Sequence, residues 1–182
     1  FMDYFCGYCK KIHSELIGLV NNGITGTPKS SEAIDKKSVT KSAEGIFGYH
    51  IRFAMNLSSI MKPPASIINI SSINSYLAFP NNPGYVSSKG GIRSLTKALA
   101  LDYSNFKIRV NSISPGYIND GMSKASFRDK NKNKKRLQRM ILKRWGTPED
   151  LFGIIEYLFS SKSSYVTGQD FVIDGGWTSK GL

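Results

Sequence analysis

Acidic residues, cysteine and histidine are all scarce in this 182-residue chain, which has 13 Asp and Glu against 25 Lys and Arg, two Cys and two His. Two cysteines cannot build a disulfide framework. His13 and His50 stand alone, with no carboxylate or thiol at ligand spacing, so no metal site is expected. No apolar run approaches the roughly 20 residues that a membrane-crossing helix needs. No basic-then-apolar leader opens the chain either. These absences predict a cytoplasmic protein without a membrane partner. What is present is ordinary: 40% hydrophobic and 21% charged residues describe a globular chain, long enough for one domain with a sizeable core.

The formal charge of +12 is concentrated in one place. Between Met122 and Gly146 lie Lys124, Arg128, Lys130, Lys132, Lys134, Lys135, Arg136, Arg139, Lys143 and Arg144, opposed by Asp129 alone. Such a segment is either a solvated loop or a surface that attracts phosphates and acidic substrates. It has one nearby aromatic pair, Phe127 and Trp145, and no recognised nucleic-acid motif, so nucleic acid is not the expected partner.

Apolar periodicity alternates between the two regular structures. Gly18–Asn22 reads as a short buried strand stopped by Gly23. Ile46, Phe47, Ile51, Ala54, Leu57 and Ile60 keep helical spacing until Pro63-Pro64. Ser66–Ile70 is a β-branched buried strand, and Pro83-Gly84 opens a long helix with Ile92, Leu95, Leu99 and Tyr103 on one face. Ile108–Ile113 is the next strand, ended by Pro115-Gly116. Thr147, Pro148 and Asp150 mark a capped helix start, within which Gly153 suggests close packing, and Phe171–Ile173 is a final strand. Strands separated by helix-length segments imply a parallel α/β sheet covered on both faces.

Tyr85 and Lys89 lie four residues apart on one helix and therefore share a face. An ammonium beside a phenol favours the phenolate and brings an ordinary value near 10 towards neutrality. Ser72 follows the strand ending at Ile70, at the edge where parallel sheets bind ligands. In chain order stand Leu19-Val20-Asn21-Asn22-Gly23, Asn69-Ile70-Ser71-Ser72, Tyr85-Val86-Ser87-Ser88-Lys89, Arg109-Val110-Asn111-Ser112-Ile113-Ser114-Pro115-Gly116, Tyr165-Val166-Thr167-Gly168-Gln169 and Asp174-Gly175-Gly176. This series resembles the short-chain dehydrogenase/reductase family, from about Ile17 onward.

The resemblance implies a Rossmann-type doubly wound parallel sheet. It implies hydride exchange between NAD or NADP and a carbonyl or alcohol substrate, and a homo-oligomer. It assigns acid/base work to Tyr85 and orientation of the substrate oxygen to Ser72. Lys89 would lower the Tyr85 pKa and hold the nicotinamide ribose. Asn21 and Gly23 match the motif beside the adenosine half, and Pro115, Gly116 and Ile118 match the loop that meets the nicotinamide carboxamide.

Four departures accompany it. The family's opening turn, TGxxxGxG, is nowhere in the chain, so the sheet is expected to be incomplete, lacking its first βαβαβ half, with residues 1–182 forming a single partial domain in which 17–182 carry the resemblance. The family's Asn-Asn-Ala-Gly turn here runs Asn22 directly into Gly23, its catalytic helix Asn aligns with Ser42, and Asp120 stands where Thr is frequent. The chain thus reads as the carboxyl-terminal, catalytic part of such an enzyme, a fragment rather than a complete one. Its basic segment falls on the substrate-covering loop, which favours an anionic or sugar-like substrate.

Residues 1–16 carry a competing signal. Phe5-Cys6-Gly7-Tyr8-Cys9-Lys10 resembles the active site of thioredoxin-like disulfide oxidoreductases, with Cys6 as the attacking thiolate at a helix start. Only five residues precede the motif, too few for the strand such a fold needs. Thiol–disulfide exchange through Cys6 and Cys9 is therefore the alternative function, and residues 1–16 are either a helix of the same domain or a foreign segment.

Overall fold

The computed structural model describes residues 18–21, 43–58, 61–119 and 127–180. Cys6, Cys9, His13, Gly23, Ser42, Asp120 and Lys124 lie outside them. Four strands, β1 (Gly18–Asn21), β2 (Ala65–Ile70), β3 (Ile108–Pro115) and β4 (Asp170–Ile173), form one sheet in the order β1-β2-β3-β4. All three pairings are parallel, with Leu19 beside Ile67, Ile68 beside Asn111, and Ser112 beside Asp170. The helices between them are α1 (Tyr49–Ser58), entered through a π-helical turn at Ala43–Gly48, α2 (Pro83–Asp102), α3 (Lys130–Arg139) and α4 (Phe152–Phe159). Among the described residues, no helix is long and apolar enough to cross a membrane.

The twofold alternation of a strand decides which helix each side chain meets. On one face of the sheet Ala65, Ile67, Ile108 and Val110 pack against Leu99 and Ala100 of α2, with Leu95 and Tyr103 at the margin. On the other, Ile68, Ile70 and Ile113 pack against Leu151, Ile155 and Leu158 of α4 and the turn before it. Each such isoleucine contributes about 2 kcal/mol by leaving water. Both faces are thus covered, which is why β2 is buried along its whole length and β3 along nearly all of it.

Several motif residues turn out to be fasteners. Asn111 donates from Nδ2 to the Val166 carbonyl (2.9 Å) and accepts from the Gln169 amide (3.1 Å). The Val110 amide donates to Thr167 Oγ1 (3.1 Å), and Arg109 reaches the Leu158 carbonyl (2.8 Å). Together they align residues 166–169 with the first half of β3, just ahead of its pairing with β4. Asp174 then caps the final turn, accepting from the amides of Gly176 (2.8 Å) and Thr178 (2.7 Å). Gly176 has φ of +81°, and a Cβ there would stand 2.7 Å from that of Ile141, so both backbone angle and space require glycine.

The helix start at Thr147 is as expected, although its first turn, Pro148–Leu151, is 3-10 and only then becomes α4. The Thr147 amide donates to Asp150 Oδ2 at 2.7 Å, and Arg144 grips both carboxylate oxygens at 2.7 Å. The Arg144 guanidinium, followed by the Thr147 amide, holds the Asp150 carboxyl well below the usual carboxylate range. A carboxyl depressed in the folded state stabilises the fold above its unfolded value of about 4 and ceases to do so as the pH falls below it. Because Arg144 is half exposed, Asp150→Ala is expected to cost only about 1 kcal/mol at pH 7. The difference from the parent in urea unfolding should shrink progressively below about pH 4.

Two expectations are corrected. Gly153 has nothing within 4 Å of the place a Cβ would occupy, so it is not a site of close packing. The basic segment is not simply a solvated loop, because its middle is helix α3. Asp129 caps that helix, accepting from the amides of Asn131 (3.1 Å) and Lys132 (3.0 Å), and the guanidinium groups of Arg136 and Arg139 lie over the Tyr117 and Trp177 rings.

Candidate active site

Three strands bring their carboxyl ends together at one rim. The Ser71 amide donates to the Ile113 carbonyl (2.8 Å), and the Gly116 amide donates to the Ile173 carbonyl (2.9 Å). This places Ser72, the Pro115–Ile118 loop and the Asp174 turn side by side. A Cβ on Gly116 would fall 2.7 Å from the Cα of Asp174, so only glycine lets the loop pass. Beyond it, Ile118 bridges Gly146, with the Gly146 amide donating to the Tyr117 carbonyl at 3.0 Å.

Helix α2 begins at Pro83 in its first turn, and its own spacing presents Tyr85, Lys89, Ile92, Thr96 and Leu99 along neighbouring turns. Lys89 is only 1% exposed. Its Nζ donates to the Ile70 carbonyl at 2.8 Å, and its own carbonyl accepts from Ser71 Oγ at 3.0 Å. Among the described residues Ile70 is the sole acceptor for that ammonium, which leaves two of its three N–H bonds for other oxygens. Burial pulls the Lys89 pKa down to about 7, so its proton is exchangeable at neutral pH. The Nζ lies 5.7 Å from the centre of the Tyr85 ring, on the face the four-residue spacing predicts.

Ser72 sits two residues beyond Ile70 and caps the single 3-10 turn Ile73–Ser75, its Oγ accepting from the Asn74 amide at 3.2 Å. The structure puts Ser72 two residues past the end of β2, the Lys89 ammonium on the Ile70 carbonyl there, and the Tyr85 ring 5.7 Å from that ammonium. Pro115, Gly116 and Ile118 lie along the same rim. Asn21 ends β1 opposite Asn69, and Gly23 lies outside the described residues. His50 is buried, with Nδ1 2.6 Å from the Ile46 carbonyl and its ring edge-on to that of Tyr49. Among the described residues no group of His, Cys, Asp and Glu could hold a metal.

Residue-level reading missed two features beside the site. The first is an aromatic and cationic stack. The Arg136 guanidinium lies 4.5 Å from the Tyr117 ring and 5.5 Å from that of Trp145, while Arg139 stands 5.1 Å from Trp177. Trp145 and Trp177 are buried with Ile73 and Met140. The second is a carboxylate, Asp170, ringed by hydroxyls from β3. Its sequence signal is the pair Ser112 and Ser114, hydroxyls at twofold spacing on the face of β3 that also carries Ile108 and Val110.

The order and geometry of these parts have counterparts in known proteins. The family model for enoyl-(acyl carrier protein) reductase matches residues 10–178. The chain belongs to the short-chain dehydrogenase/reductase family. The matched span begins after Cys9, and so excludes both cysteines of the thiol alternative. A 2-dehydro-3-deoxy-D-gluconate 5-dehydrogenase of Escherichia coli K12 is 37% identical over 114 residues, 63% of this chain and 45% of that protein. A 4-hydroxyisoleucine dehydrogenase complexed with NADH superposes with a TM-score of 0.82 at 29% identity, covering 98% of this chain and 74% of its own. A gluconate 5-dehydrogenase of Burkholderia cenocepacia, in complex with NADP and tartrate, gives 0.75 at 27% identity, with 96% and 69% covered. The chain thus spans about half the length of the E. coli relative. Its fold is the Rossmann-type sheet of these short-chain dehydrogenases, in incomplete form.

Proposed function

We propose that residues 17–182 form one partial domain carrying the catalytic machinery of an NAD(P)-dependent oxidoreductase. The observation that carries this reading is the buried Lys89 ammonium, bonded to the Ile70 carbonyl at the carboxyl end of β2, two residues before Ser72, with the Tyr85 ring 5.7 Å away. Among the described residues two of that ammonium's N–H bonds have no acceptor, and a ribose diol fits them, while the Pro115–Ile118 loop runs along the same rim. Lys89, Tyr85, Pro115, Gly116 and Ile118 would hold the nicotinamide half, while Asn21 and Gly23 would lie toward the adenosine half. When bound, the nicotinamide supplies or accepts the hydride.

The chain's own residues do the rest. Ser72 holds the substrate oxygen through its hydroxyl. Tyr85 gives a proton to that oxygen during reduction and takes it back during oxidation. Lys89, titrating near neutrality, supports the phenolate electrostatically when charged. The test is thermal shift and cofactor fluorescence with NADH and NADPH, followed by turnover with sugar acids and simple secondary alcohols. Absence of binding to either cofactor would sink the reading.

The substrate we infer is a small hydroxy or oxo acid. Arg136 and Arg139 stand over rings that adjoin both Ile73, next to Ser72, and the Pro115–Ile118 loop. The relatives named for gluconate, and the one complexed with tartrate, handle molecules of this class. Arg136→Gln is expected to raise KM for an acid substrate about tenfold, the worth of one charge-assisted contact, and to leave kcat and the KM of a neutral alcohol unchanged. Equal effects on both substrates would remove the assignment.

A homo-oligomer fits the surface of α2, whose exposed side carries Ser94, Ala98 and Leu101, the last 76% exposed. Leu101→Glu should reduce the apparent mass in sedimentation if that face is paired.

A further inference from the structure

Asp170 lies on β4, the strand at one end of the sheet, and its register beside Ser112 turns its side chain toward α2. Its carboxylate is 10% exposed and gathers donors from three separate elements. From β3 come the hydroxyls of Ser112, in a short hydrogen bond, and of Ser114, at 3.1 and 2.8 Å from the two oxygens. From the segment after Ser72 comes the Tyr76 hydroxyl at 2.5 Å. From α2 comes the Arg93 Nε at 3.5 Å, an electrostatic contact rather than a hydrogen bond.

The same groups hold one another. The Arg93 guanidinium lies flat on the Tyr76 ring, 3.6 Å from its centre, and its Nη1 donates to the Ser75 carbonyl at 3.0 Å. Ser75 Oγ donates to the Ser72 carbonyl at 2.7 Å and touches Ser114 Oγ at 3.4 Å. Each serine has one hydroxyl proton, and those of Ser75 and Ser114 are committed to Ser72 and Asp170, so this last approach is a packing contact. Burial, then the bond to Asp170, push the Tyr76 phenol up to about 12, which keeps it a donor throughout the neutral range.

The turn Ile73–Ser75 is therefore fastened at both ends. Ser72 caps its start, while Arg93 and Asp170 hold Ser75 and Tyr76 at its finish. A three-residue 3-10 turn has few internal bonds to fix its own geometry. The orientation of Ser72 is thus set by what grips the far end.

We infer that Asp170 is a positioning residue that, through Tyr76 and Arg93, holds the turn presenting Ser72 at the rim of the site. This rests on the reading that Ser72 holds the substrate oxygen, and two measurements keep the two claims apart. The first is amide hydrogen exchange in the 182-residue chain. Asp170→Ala should speed exchange at Asn74–Leu77 at least tenfold relative to the interior amides of β2, with Asp170→Glu partly restoring protection. Unchanged protection at Asn74–Leu77 would overturn the inference whatever happens to activity.

The second is a double-mutant cycle on kcat. Asp170→Ala should lower kcat about tenfold with little change in cofactor binding, Tyr76→Phe should lower it about threefold, and Asp170→Ala should cost nothing further once Ser72 is alanine. Losses that multiply instead would mean that Asp170 acts independently of Ser72, and would overturn the inference. If Ser72→Ala keeps full kcat while exchange at the turn still rises, the assignment of Ser72 fails and the fastening role of Asp170 stands.

Discussion

Replacing Tyr85 with phenylalanine is expected to lower kcat about a thousandfold, within the range that general acid–base catalysis supplies, while KM and cofactor binding barely change. The substitution removes one oxygen from a half-buried ring near the start of α2, so the helix start at Pro83 and the packing of Ile92 and Leu99 stay intact. On the proposed reading, what disappears is the group that exchanges a proton with the substrate oxygen beside Ser72. Steady-state kinetics with NADH or NADPH and a small oxo acid provides the measurement. Retention of more than a tenth of the parent's turnover would exclude Tyr85 as the acid/base.

The second large effect carries opposite signs for stability and activity. In Lys89→Met, hydride transfer should be lost and cofactor binding weakened at least tenfold, yet the chain should become more resistant to urea at neutral pH. Lys89 falls from its ordinary 10.5 to about 7 because burial disfavours its charge. Between those values the unfolded chain holds a proton that the folded chain lacks, so stability should rise as the pH is raised through that window. Below pH 7 both states are protonated, and the folded state bears the full cost of a buried ammonium with one carbonyl acceptor. Methionine fills much of the same volume without a charge and gives up the hydrogen bond to the Ile70 carbonyl. The net gain at pH 6 should be about 2 kcal/mol, and the slope of stability between pH 7 and 10 should vanish. A parent protein with no such slope would show that the amine is not desolvated as its surroundings imply. Such a cost at one site, borne for a proton poised near neutrality, is characteristic of functional rather than structural placement.

Part of this was legible in local order. The alternation of β-branched runs with helical spacing located β2, α2, β3 and β4, because each periodicity follows from the geometry of a single element. The capped start at Thr147 was readable for the same reason, since its partners lie within three residues. Helix α3 was not, because its ten residues carry a largely charged pattern with little apolar stripe. It is held by Asp129 at one end and by rings from Tyr117 and Trp145 at the side. Gly153 misled for a related reason: a glycine inside a helix signals close approach only when a neighbour is near, and none is. Asn111 and Thr167 stand out as motif residues in the sequence, but only the pairing of β3 with the segment before β4 shows them to be structural.

The sequence by itself determined that Tyr85 and Lys89 share a face, that Ser72 follows a buried strand, and that the chain is an α/β protein of this family. The first two are consequences of fixed repeats along one chain, and the family came from the resemblance of its motifs in their order. Tertiary structure alone decided that Lys89 is buried deeply enough to titrate near 7, and that Asp170 bonds a tyrosine 94 residues away to steady the turn at Ser72. Desolvation and cross-strand register belong to a residue's surroundings, and those exist only once distant segments have packed.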